Sequence, residues 1–305
     1  MSLVGTRVLV TGGTGFIGRH LVPQLVEAGA VVTVLTRSPS RAAGTLPGVD
    51  LVSDAPEAAR REPEVVVNLA GAGIADAPWS ERRRRELLAS RVDYTDRLRE
   101  ALGATPPRVL VSASAVGYYG LSDTQRFVED DPCGDGFAAE LCERWEAAAT
   151  RFEALGSRVA LARIGLVLGP GGLLGRLRLP FSLGLGGRMG DGTQWMSWVH
   201  LDDVVGLLLR LAADEHASGP YNLTAPNPVR NEAFTQALAA TLRRPALVPV
   251  PAALLRLALG EMAEELLLGG AAVLPERAER EGWIFAHPRI ESALAAALGR
   301  PEPDA

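Results

Sequence analysis

The amino-acid sequence predicts an α/β fold in which a doubly wound parallel sheet is followed by a smaller C-terminal α/β lobe. Three observations lead to this prediction: a glycine-rich turn after an apolar run near the N-terminus, short apolar runs that alternate with helical patterns up to residue 165, and the loss of that rhythm afterwards. Such alternation is typical of parallel strands covered by helices on both faces. We therefore expect a first domain over residues 1–165 and a second lobe over 166–300, with the sheet recruiting segments near 195–225 and a disordered tail at 301–305.

The first element is the apolar run Arg7–Thr11, which ends in a glycine-rich turn. The glycines at positions 13, 15 and 18 match G-x-G-x-x-G, those at 12, 15 and 18 match G-x-x-G-x-x-G, and the sequence leaves both registers open. In either register, glycines permit a tight turn and the close approach of a pyrophosphate, which the N–H groups at the start of the following helix bind. The pattern predicts a Rossmann-like nucleotide site formed by Gly12, Gly13, Thr14, Gly15, Phe16, Ile17 and Gly18.

The end of the second strand indicates which dinucleotide is bound. After a helical pattern that Gly29 ends, the β-branched run Val31–Leu35 completes a βαβ unit. An acidic residue at the end of this strand commonly binds the ribose 2′-hydroxyl of NAD(H), whereas an arginine accommodates the 2′-phosphate of NADP(H). This strand is followed not by a carboxylate but by Arg37, Ser38 and Arg41, whose guanidinium and hydroxyl groups suit a phosphate dianion. We therefore predict NADP(H) as the cofactor.

The third and fourth strands, predicted at Val49–Val52 and Val65–Leu69, bring two further segments to the same edge of the sheet. Asp54 follows the third strand and is expected either to accept a hydrogen bond from the adenine amino group or to serve in a turn or helix N-cap. The fourth strand ends at the carboxyl edge, where ligands bind in open α/β sheets, and small residues there let a cofactor lie against the backbone. This predicts cofactor contacts at Asn68, Leu69, Ala70 and Gly71.

The rest of the sequence supplies the last strands of the sheet, and after residue 165 the alternation of strands and helices ends. Strands are predicted at Arg108–Ser112 and Val159–Ile164, with helices at about 79–102 and 137–155. Beyond residue 165, glycine-rich and proline-rich loops run to residue 192 and no βαβ rhythm resumes. In the second lobe we predict helices at 202–213, 231–243, 252–268 and 289–298, short strands near Tyr221–Leu223 and Leu247–Pro249, and a helix N-cap at Asp202 or Asp203.

Composition and charge restrict the function classes. A net charge of −5 argues against a general nucleic-acid surface, and the run Arg82–Arg85 is interpreted as the solvated face of a helix. Two cysteines, Cys133 and Cys142, are too few and too poorly spaced for a disulfide framework or a metal knuckle, so we expect a reducing cytoplasm and no metal. No apolar stretch is long enough to span a membrane, and residues 1–6 lack the features of a signal peptide.

Several of these segments resemble a known family. Gly12–Gly18, Asn68–Gly71 and Ser112–Gly120 are similar to the extended short-chain dehydrogenase/reductase superfamily, which includes the nucleoside-diphosphate-sugar epimerases and dehydratases. The resemblance narrows to an uncharacterised "epimerase family" branch of that superfamily. The stretches specific to the branch are Trp79–Ser80 with Ser90–Val92, Tyr118–Gly120, Gly184–His200 and Leu274–Phe285.

The resemblance implies a catalytic arrangement. A tyrosine exchanges a proton with the substrate, a lysine four residues later lowers the pKa of that phenol and holds the nicotinamide ribose, and a serine hydrogen-bonds the reacting oxygen. Ser114 matches the serine position, and the backbone at Arg163 and Ile164 is implied to line the nicotinamide end of the cofactor. The resemblance also implies a small-molecule substrate and a homodimer formed through the helices at 79–102 and 137–155.

The tyrosine–lysine pair itself is missing. One register of the helix at 137–155 places Phe137 and Leu141 at the two positions, and the neighbouring register places Ala138 and Cys142 there. Neither register supplies a phenol or an ammonium group. Any reaction must therefore use a different proton donor.

Other side chains are candidates for the missing chemistry. Tyr118 and Tyr119 follow Ser114 in a glycine-bounded loop, and each either presents its hydroxyl to a substrate or packs beneath the loop. Cys142 either offers a thiol or fills the core. Arg91, which we include among the cofactor-site residues, is expected to bind an anionic substrate, to restrain the Ser114 loop or to lie on a helix surface.

In the second lobe, Gln194, Trp195 and His200 are the candidates for binding substrate. Aromatic walls with amide and imidazole groups suit a planar or sugar-like ligand, and they suit a structural joint between lobes equally well. His200 is expected to act either as a general acid or as a structural hydrogen-bonding group at the end of a strand.

These observations favour an NADP(H)-dependent oxidoreductase or epimerase-like enzyme that acts on a small hydroxy or keto compound by hydride transfer. Ser114 would orient the substrate oxygen, and Tyr118 or Tyr119 would donate the proton. The missing pair supports an alternative, a non-enzymatic NADP(H)-binding sensor or scaffold, because sensing requires binding and a conformational response but no acid. A third interpretation is a protein that binds sugar nucleotides.

Overall fold

The computed structural model describes residues 2–302. Its first half forms β1 (Arg7–Thr11), α1 (Gly18–Glu27), β2 (Val31–Leu35), α2 (Pro39–Ala43), β3 (Asp50–Val52), α3 (Ala55–Ala59), β4 (Val65–Asn68), α4 (Glu81–Leu88), α5 (Tyr94–Leu102), β5 (Val109–Ala115), β6 (Arg126–Phe127) and α6 (Phe137–Thr150). The second half forms β7 (Arg158–Ile164), β8 (Leu166–Leu168), α7 (Gly172–Ser182), β9 (Trp195–Met196), β10 (Trp198–His200), α8 (Leu201–Ala213), β11 (Gly219–Leu223), β12 (Val229–Arg230), α9 (Asn231–Leu242), α10 (Ala252–Leu259), α11 (Glu261–Ala263), β13 (Ala272–Val273), α12 (Glu276–Arg280) and α13 (Ile290–Leu298).

A parallel sheet in the order β3-β2-β1-β4-β5-β7-β11 lies at the centre of the chain. From β1 the chain winds outward to β3 and then crosses back to β4 on the other side of β1. This is the doubly wound, Rossmann-like arrangement, whose ligand crevice lies at the carboxyl ends of the strands where the winding reverses. The predicted fold class is confirmed, and the last strand, β11, comes from the region 195–225 that we expected to join the sheet.

Burial on both faces of β1 explains why Val8, Leu9 and Val10 are all apolar. Val8 and Val10 face a core that includes residues of α1 and α8, whereas Leu9 faces the opposite core, which includes residues of α5 and α6. A strand covered on both faces is largely apolar, because a buried polar side chain needs a hydrogen-bond partner. The runs that predicted β2 and β4 follow the same rule.

The second lobe is built from short paired strands and helices. β8 pairs with β10 in parallel, and β9 pairs with β12 in antiparallel orientation. The pair formed by β6 and β13 ties the C-terminal segment to the first half of the chain. Trp198, Phe234 and Leu294 are buried together in the core of this lobe. Within residues 2–302, no helix is both long enough and apolar enough to cross a membrane.

Two predictions about secondary structure in the second lobe are wrong. The helix predicted at 252–268 is interrupted at Gly260, which has a φ of +58°, and the chain forms α10, α11 and a π-helical turn instead. No strand forms at Leu247–Pro249, where the backbone makes only isolated bridges at Ala246 and Val250. Prolines at 245, 249 and 251 explain this, because each removes an N–H donor that a ladder would need.

The predicted N-cap of α8 also needs correction. His200, and neither aspartate, caps α8: its ring Nδ1 accepts a hydrogen bond from the backbone N–H of Asp202 at 3.2 Å. Asp203 instead turns toward a later segment of the chain. Of the tail predicted to be disordered at 301–305, residues 303–305 lie outside the described residues, while Glu302 forms an ion pair with Arg289.

Candidate cofactor and active site

The turn between β1 and α1 is closed by contacts that only glycine permits. The backbone N–H of Gly15 donates to the carbonyl oxygen of Gly12 across 2.9 Å. A Cβ atom at position 18 would lie 2.3 Å from that same oxygen, and one at position 12, where φ is +70°, would lie 2.5 Å from the carbonyl oxygen of Leu69. Gly12, Gly15 and Gly18 therefore make the backbone contacts of the turn, which is the G-x-x-G-x-x-G register, while Gly13 packs against Val34.

The groups around this turn fit a dinucleotide pyrophosphate. No side chain caps the N-terminus of α1, and its first turn contains no acidic residue, so no carboxylate or hydroxyl of the protein competes with an anion there. Thr14 and Gly15 are exposed, and Ile17 packs against the core. The ring of Phe16 lies close enough to Gly172 that a Cβ there would be 2.9 Å from it, so the start of α7 adjoins the turn.

A methyl group at position 18 is expected to break this turn. The alanine of Gly18→Ala would collide with backbone atoms of Gly12 and Gly13, which cannot rotate away as a side chain can. We expect a loss of about 3 kcal/mol in the free energy of unfolding and loss of dinucleotide binding. Urea denaturation and a fluorescence titration measure both. The matched control is Gly175→Ala on α7, where a Cβ meets no atom within 4 Å; a Gly18→Ala protein as stable as that control would contradict the prediction.

The residues after β2 are accessible in the way a 2′-phosphate site requires. Arg37 and Arg41 are exposed, and neither forms an ion pair with a carboxylate of residues 2–302. Ser38 is half-buried at the start of α2. The carboxylate of Asp54 accepts from the backbone N–H of Glu57 at 2.7 Å and thereby caps α3, which is one of the roles expected for it.

Asn68 lies beneath the cofactor edge of the sheet. Its side chain is fully buried: Oδ1 accepts from the Thr11 hydroxyl at 2.6 Å, and Nδ2 donates to the Thr95 hydroxyl at 3.0 Å. These bonds connect β1, β4 and α5 inside the protein. Leu69 and Ala70 are half-buried and Gly71 is exposed, so a ligand can contact the segment from Leu69 to Gly71. The buried side chain of Asn68 holds the start of this segment in place.

Ser114 is the start of a buried charged network. Its hydroxyl donates to Oε1 of Glu146 at 2.6 Å, and the Arg163 guanidinium donates to both carboxylate oxygens of Glu146 at 2.9 Å each. The Arg163 and Glu146 side chains are 4% and 9% exposed, so this bidentate pair is shielded from water. Burial lowers the pKa of Arg163, but the Glu146 carboxylate outweighs burial and raises it above its ordinary value.

Glu146 is the site residue that the sequence analysis missed. The signal was available, since Glu146 follows Cys142 by one helical turn and an acidic residue on an otherwise apolar helix face requires a buried partner. The partner lies on β7, however, and only the folded sheet brings Arg163 to it.

The structure selects one register for the helix that lacks the tyrosine and lysine. A Cβ at Gly117 would lie 3.2 Å from the Cβ of Ala138, and the Cys142 thiol lies in contact with Ser114. Ala138 and Cys142 therefore face the Ser114 loop at the positions of the phenol and the ammonium. Burial raises the pKa of Cys142 to about 12, so its thiol stays protonated and acts as a small core group.

The C-terminal segment fixes this helix in place. The N-terminus of α6 begins at a glycine with no side-chain cap. The carboxylate of Glu265 takes over that role and accepts from the backbone N–H groups of Phe137 at 2.9 Å and Ala138 at 2.8 Å. The segment that follows α11 thus holds the helix that faces the candidate active site.

The two tyrosines of the loop after β5 have different surroundings. Tyr119 is only 2% exposed, and its hydroxyl lies between Nη1 of Arg163 at 2.9 Å and Oδ1 of Asn222 at 2.7 Å. Tyr118 is half-buried, with the Arg163 guanidinium 3.5 Å from the centre of its ring. Tyr119 is therefore a buried structural residue rather than a proton donor to a substrate, and Tyr118 is the remaining candidate.

Arg91 lies in the π-helical turn Ala89–Asp93 between α4 and α5. Its guanidinium donates to the carbonyl oxygen of Ala72 at 3.0 Å and lies 5.1 Å from the Trp145 ring. Burial lowers the pKa of Arg91. A Cβ at Gly71 would be 3.0 Å from this guanidinium, so Arg91 holds the loop after β4 at the edge where a cofactor would lie.

The three candidates in the second lobe each contact other parts of the fold. Both hydrogen bonds from the Gln194 amide go to backbone carbonyls, those of Met189 and Leu267. Trp195 donates to the carbonyl of Asp123 at 3.0 Å. His200 is buried at the start of α8, where burial and the neighbouring His287 lower its pKa to about 4. These contacts match the alternative interpretation, in which the residues join parts of the fold.

Comparison with protein families decides where this chain belongs. The model of the NAD dependent epimerase/dehydratase family matches residues 8–224. The chain belongs to the NAD-dependent epimerase/dehydratase family. A domain of unknown function, DUF1731, matches residues 250–297 of this epimerase-family protein, which include α10 to α12 and α13 up to its last residue but one.

Individual relatives place the epimerase-family protein in the branch that the sequence resembles. The epimerase family protein Mb2239 of Mycobacterium bovis is 39% identical over 96% of this chain and 98% of its own length. The chloroplastic SDR39U1 homolog of Arabidopsis thaliana is 40% identical over 95% of this chain and 86% of its own length. The crystal structure of human epimerase family protein SDR39U1 with NADPH has a TM-score of 0.88 and 36% identity, and covers 96% of this chain and 99% of that one. The resemblance is confirmed.

Proposed function

We propose that this chain binds NADP(H) and reduces a carbonyl group of a small keto compound, with Tyr118 as the proton donor. The observation that carries the proposal is the pairing of an open glycine cradle with a half-buried phenol at the same edge of the sheet. The human relative crystallised with NADPH supports the choice of cofactor, as does the absence of a carboxylate at the end of β2.

Three residues of this chain, Tyr118, Ser114 and Arg163, have separate roles in such a reaction. NADPH, when bound in the glycine turn, would supply the hydride for the carbonyl carbon. Tyr118 donates its phenolic proton to the carbonyl oxygen, which becomes the hydroxyl of the product. Ser114 cannot donate to the carbonyl oxygen while it donates to Glu146, so it would position the substrate sterically, and its oxygen can accept a hydrogen bond only from the hydroxyl of the product. Arg163 holds the ring of Tyr118 from the buried side.

The protonation state of Tyr118 favours reduction over oxidation. Burial raises the pKa of this phenol above its ordinary value of 10.0, although Arg163 opposes the shift. In enzymes with the tyrosine–lysine pair, a cation lowers the phenol pKa and makes the phenolate available as a base. Tyr118 remains protonated at neutral pH and is therefore suited to donating a proton.

Cofactor preference tests the binding half of the proposal. In Arg37→Ala, a 2′-phosphate loses a charge-assisted hydrogen bond, so we expect NADPH affinity to fall by about 10- to 100-fold while NADH affinity stays unchanged. Fluorescence titrations with both nucleotides measure the change. Arg60→Ala, which removes an exposed arginine at the far end of α3, is the matched control. A preference for NADPH that survives Arg37→Ala would show that another group reads the phosphate.

One observation favours a second candidate function. Ala138 and Cys142 occupy the positions of the phenol and ammonium, and the Ser114 hydroxyl is already committed to Glu146. A protein that binds NADP(H) and responds by a conformational change needs neither group. Stopped-flow mixing of the NADPH complex with a panel of aldehydes and ketones separates the two. Oxidation of NADPH by any of them excludes the sensor, whereas its absence with every compound favours it.

A further inference from the structure

Two histidines that lie far apart in the sequence meet at the start of α8. The rings of His200 and His287 have centroids 4.1 Å apart and are tilted by 56°. A carboxylate oxygen of Asp202 lies 3.5 Å from Nδ1 of His200. One ligand atom from each of the three residues lies within 4.8 Å of the others, and within residues 2–302 no second group of three such side chains is as close.

The fold holds the two histidines in this position. His200 ends β10 and is 4% exposed. His287 is held from the opposite side, because the carboxylate of Asp203 accepts from the backbone N–H groups of Ala286 at 2.8 Å and His287 at 3.2 Å. The side chain of Asp202 is 67% exposed, so the cluster opens to solvent on the aspartate side.

The hydrogen bonds distinguish the two ring nitrogens of His200: Nδ1 is engaged by a backbone N–H, whereas Nε2 is buried without a hydrogen-bond partner among the described residues. Because Nδ1 accepts from the backbone N–H of Asp202, this nitrogen has a lone pair and the proton of the neutral ring is on Nε2. The lone pair lies on the same side as the Asp202 carboxylate. A cation bound to Nδ1 would have to replace the hydrogen bond from the backbone N–H of Asp202, which would then bond to water as in the first turn of most helices.

We propose that His200, Asp202 and His287 bind one divalent transition-metal ion of the zinc class. Two imidazole nitrogens with one carboxylate oxygen are a zinc ligand set that leaves a fourth position for water, and they suit neither calcium nor magnesium, which prefer all-oxygen sites. The N-terminus of α8 disfavours a cation, but the carboxylates of Asp202 and Asp203 in its first turn offset this effect. The ion would cross-link β10 and α8 to the segment that precedes α13.

Titration of the full-length, untagged and chelator-treated protein with Co²⁺ tests this site. We expect one ion per chain, a visible absorption band of a tetrahedral Co²⁺ complex, and displacement by Zn²⁺. His287→Ala and Asp202→Asn each remove one ligand and are expected to weaken binding by about tenfold or more. Zn²⁺ should raise the Tm of the wild-type protein and leave the Tm of His287→Ala nearly unchanged.

The matched control is His216→Ala, which removes an exposed histidine outside the cluster and should bind Co²⁺ as the wild type does. Far-UV circular dichroism of each apo variant confirms that it is folded before the titration. The proposal fails if the wild type shows no saturable binding of one ion per chain, or if the folded His287→Ala protein binds Co²⁺ as tightly as the wild type.

Discussion

Glu146→Ala is expected to lower the free energy of unfolding by about 3 to 5 kcal/mol. The substitution leaves the Arg163 guanidinium buried without its carboxylate partner and removes the acceptor of the Ser114 hydroxyl. An uncompensated buried charge is more costly than the pair is stabilising, because no water reaches it. Urea denaturation measured at several wavelengths gives the free energy and shows whether the transition remains two-state.

Two further variants isolate the cause of this loss. Glu143→Ala removes an exposed carboxylate from the same helix and is expected to unfold close to the wild type. The double variant Glu146→Leu, Arg163→Met removes both charges and should recover a large part of the stability. A Glu146→Ala protein that loses less than about 1 kcal/mol would show that water reaches Arg163 in solution.

The central sheet could be predicted from the sequence because the residue pattern of each of its long strands is visible within that strand and the turn beside it. The buried positions of β1 and β2 are apolar except for Thr11 and Thr33, and glycines with positive φ lie between the two strands at positions 12 and 29. The short strands of the second lobe could not be predicted in this way. β8 and β10 have only three residues each, and they become strands because folding places them side by side.

The candidate site was predictable only in part for a similar reason. Ser114 and the glycine turn lie where strand ends and turn chemistry require them. Whether Tyr118 or Tyr119 reaches a ligand depends on Asn222, which β11 brings to the Tyr119 hydroxyl from the second half of the chain. Which side of α6 faces the Ser114 loop depends on how the helix packs in the folded protein. The sequence therefore left two registers open, and the contact of Ala138 with Gly117 selects one of them.

The N-cap of α8 shows how residue preferences alone can predict the wrong cap residue. Aspartate is a preferred N-cap residue, and two aspartates stand at the start of α8. The helix begins one residue earlier than predicted, so the imidazole occupies the cap position and Asp203 is free to hold the later segment at His287. This earlier start of α8 places His200 beside His287 and Asp202. No motif in the sequence predicts this cluster of two histidines and a carboxylate.

Tyr118→Phe is expected to reduce the rate of carbonyl reduction by about 10²- to 10⁴-fold, the usual contribution of a positioned general acid. The substitution removes only the phenolic oxygen and leaves the ring against Arg163, so NADPH affinity and fold should be preserved. The rate is measured by stopped flow as NADPH oxidation by a compound that the wild type reduces. Because burial raises the phenol pKa, the wild-type rate should be level through neutral pH and fall only as alkaline pH removes the proton.

The matched control for this prediction is Tyr119→Phe, which deletes the same atom from the neighbouring residue. The Tyr119 hydroxyl bridges Arg163 and Asn222 inside the protein, so its loss leaves a buried acceptor unpaired and should cost about 1 to 3 kcal/mol of stability. The two variants are thus expected to separate, with Tyr118→Phe stable and slow and Tyr119→Phe less stable but active while folded. A Tyr118→Phe enzyme that retains the wild-type rate and pH profile would assign the proton to another group and overturn the role proposed for Tyr118.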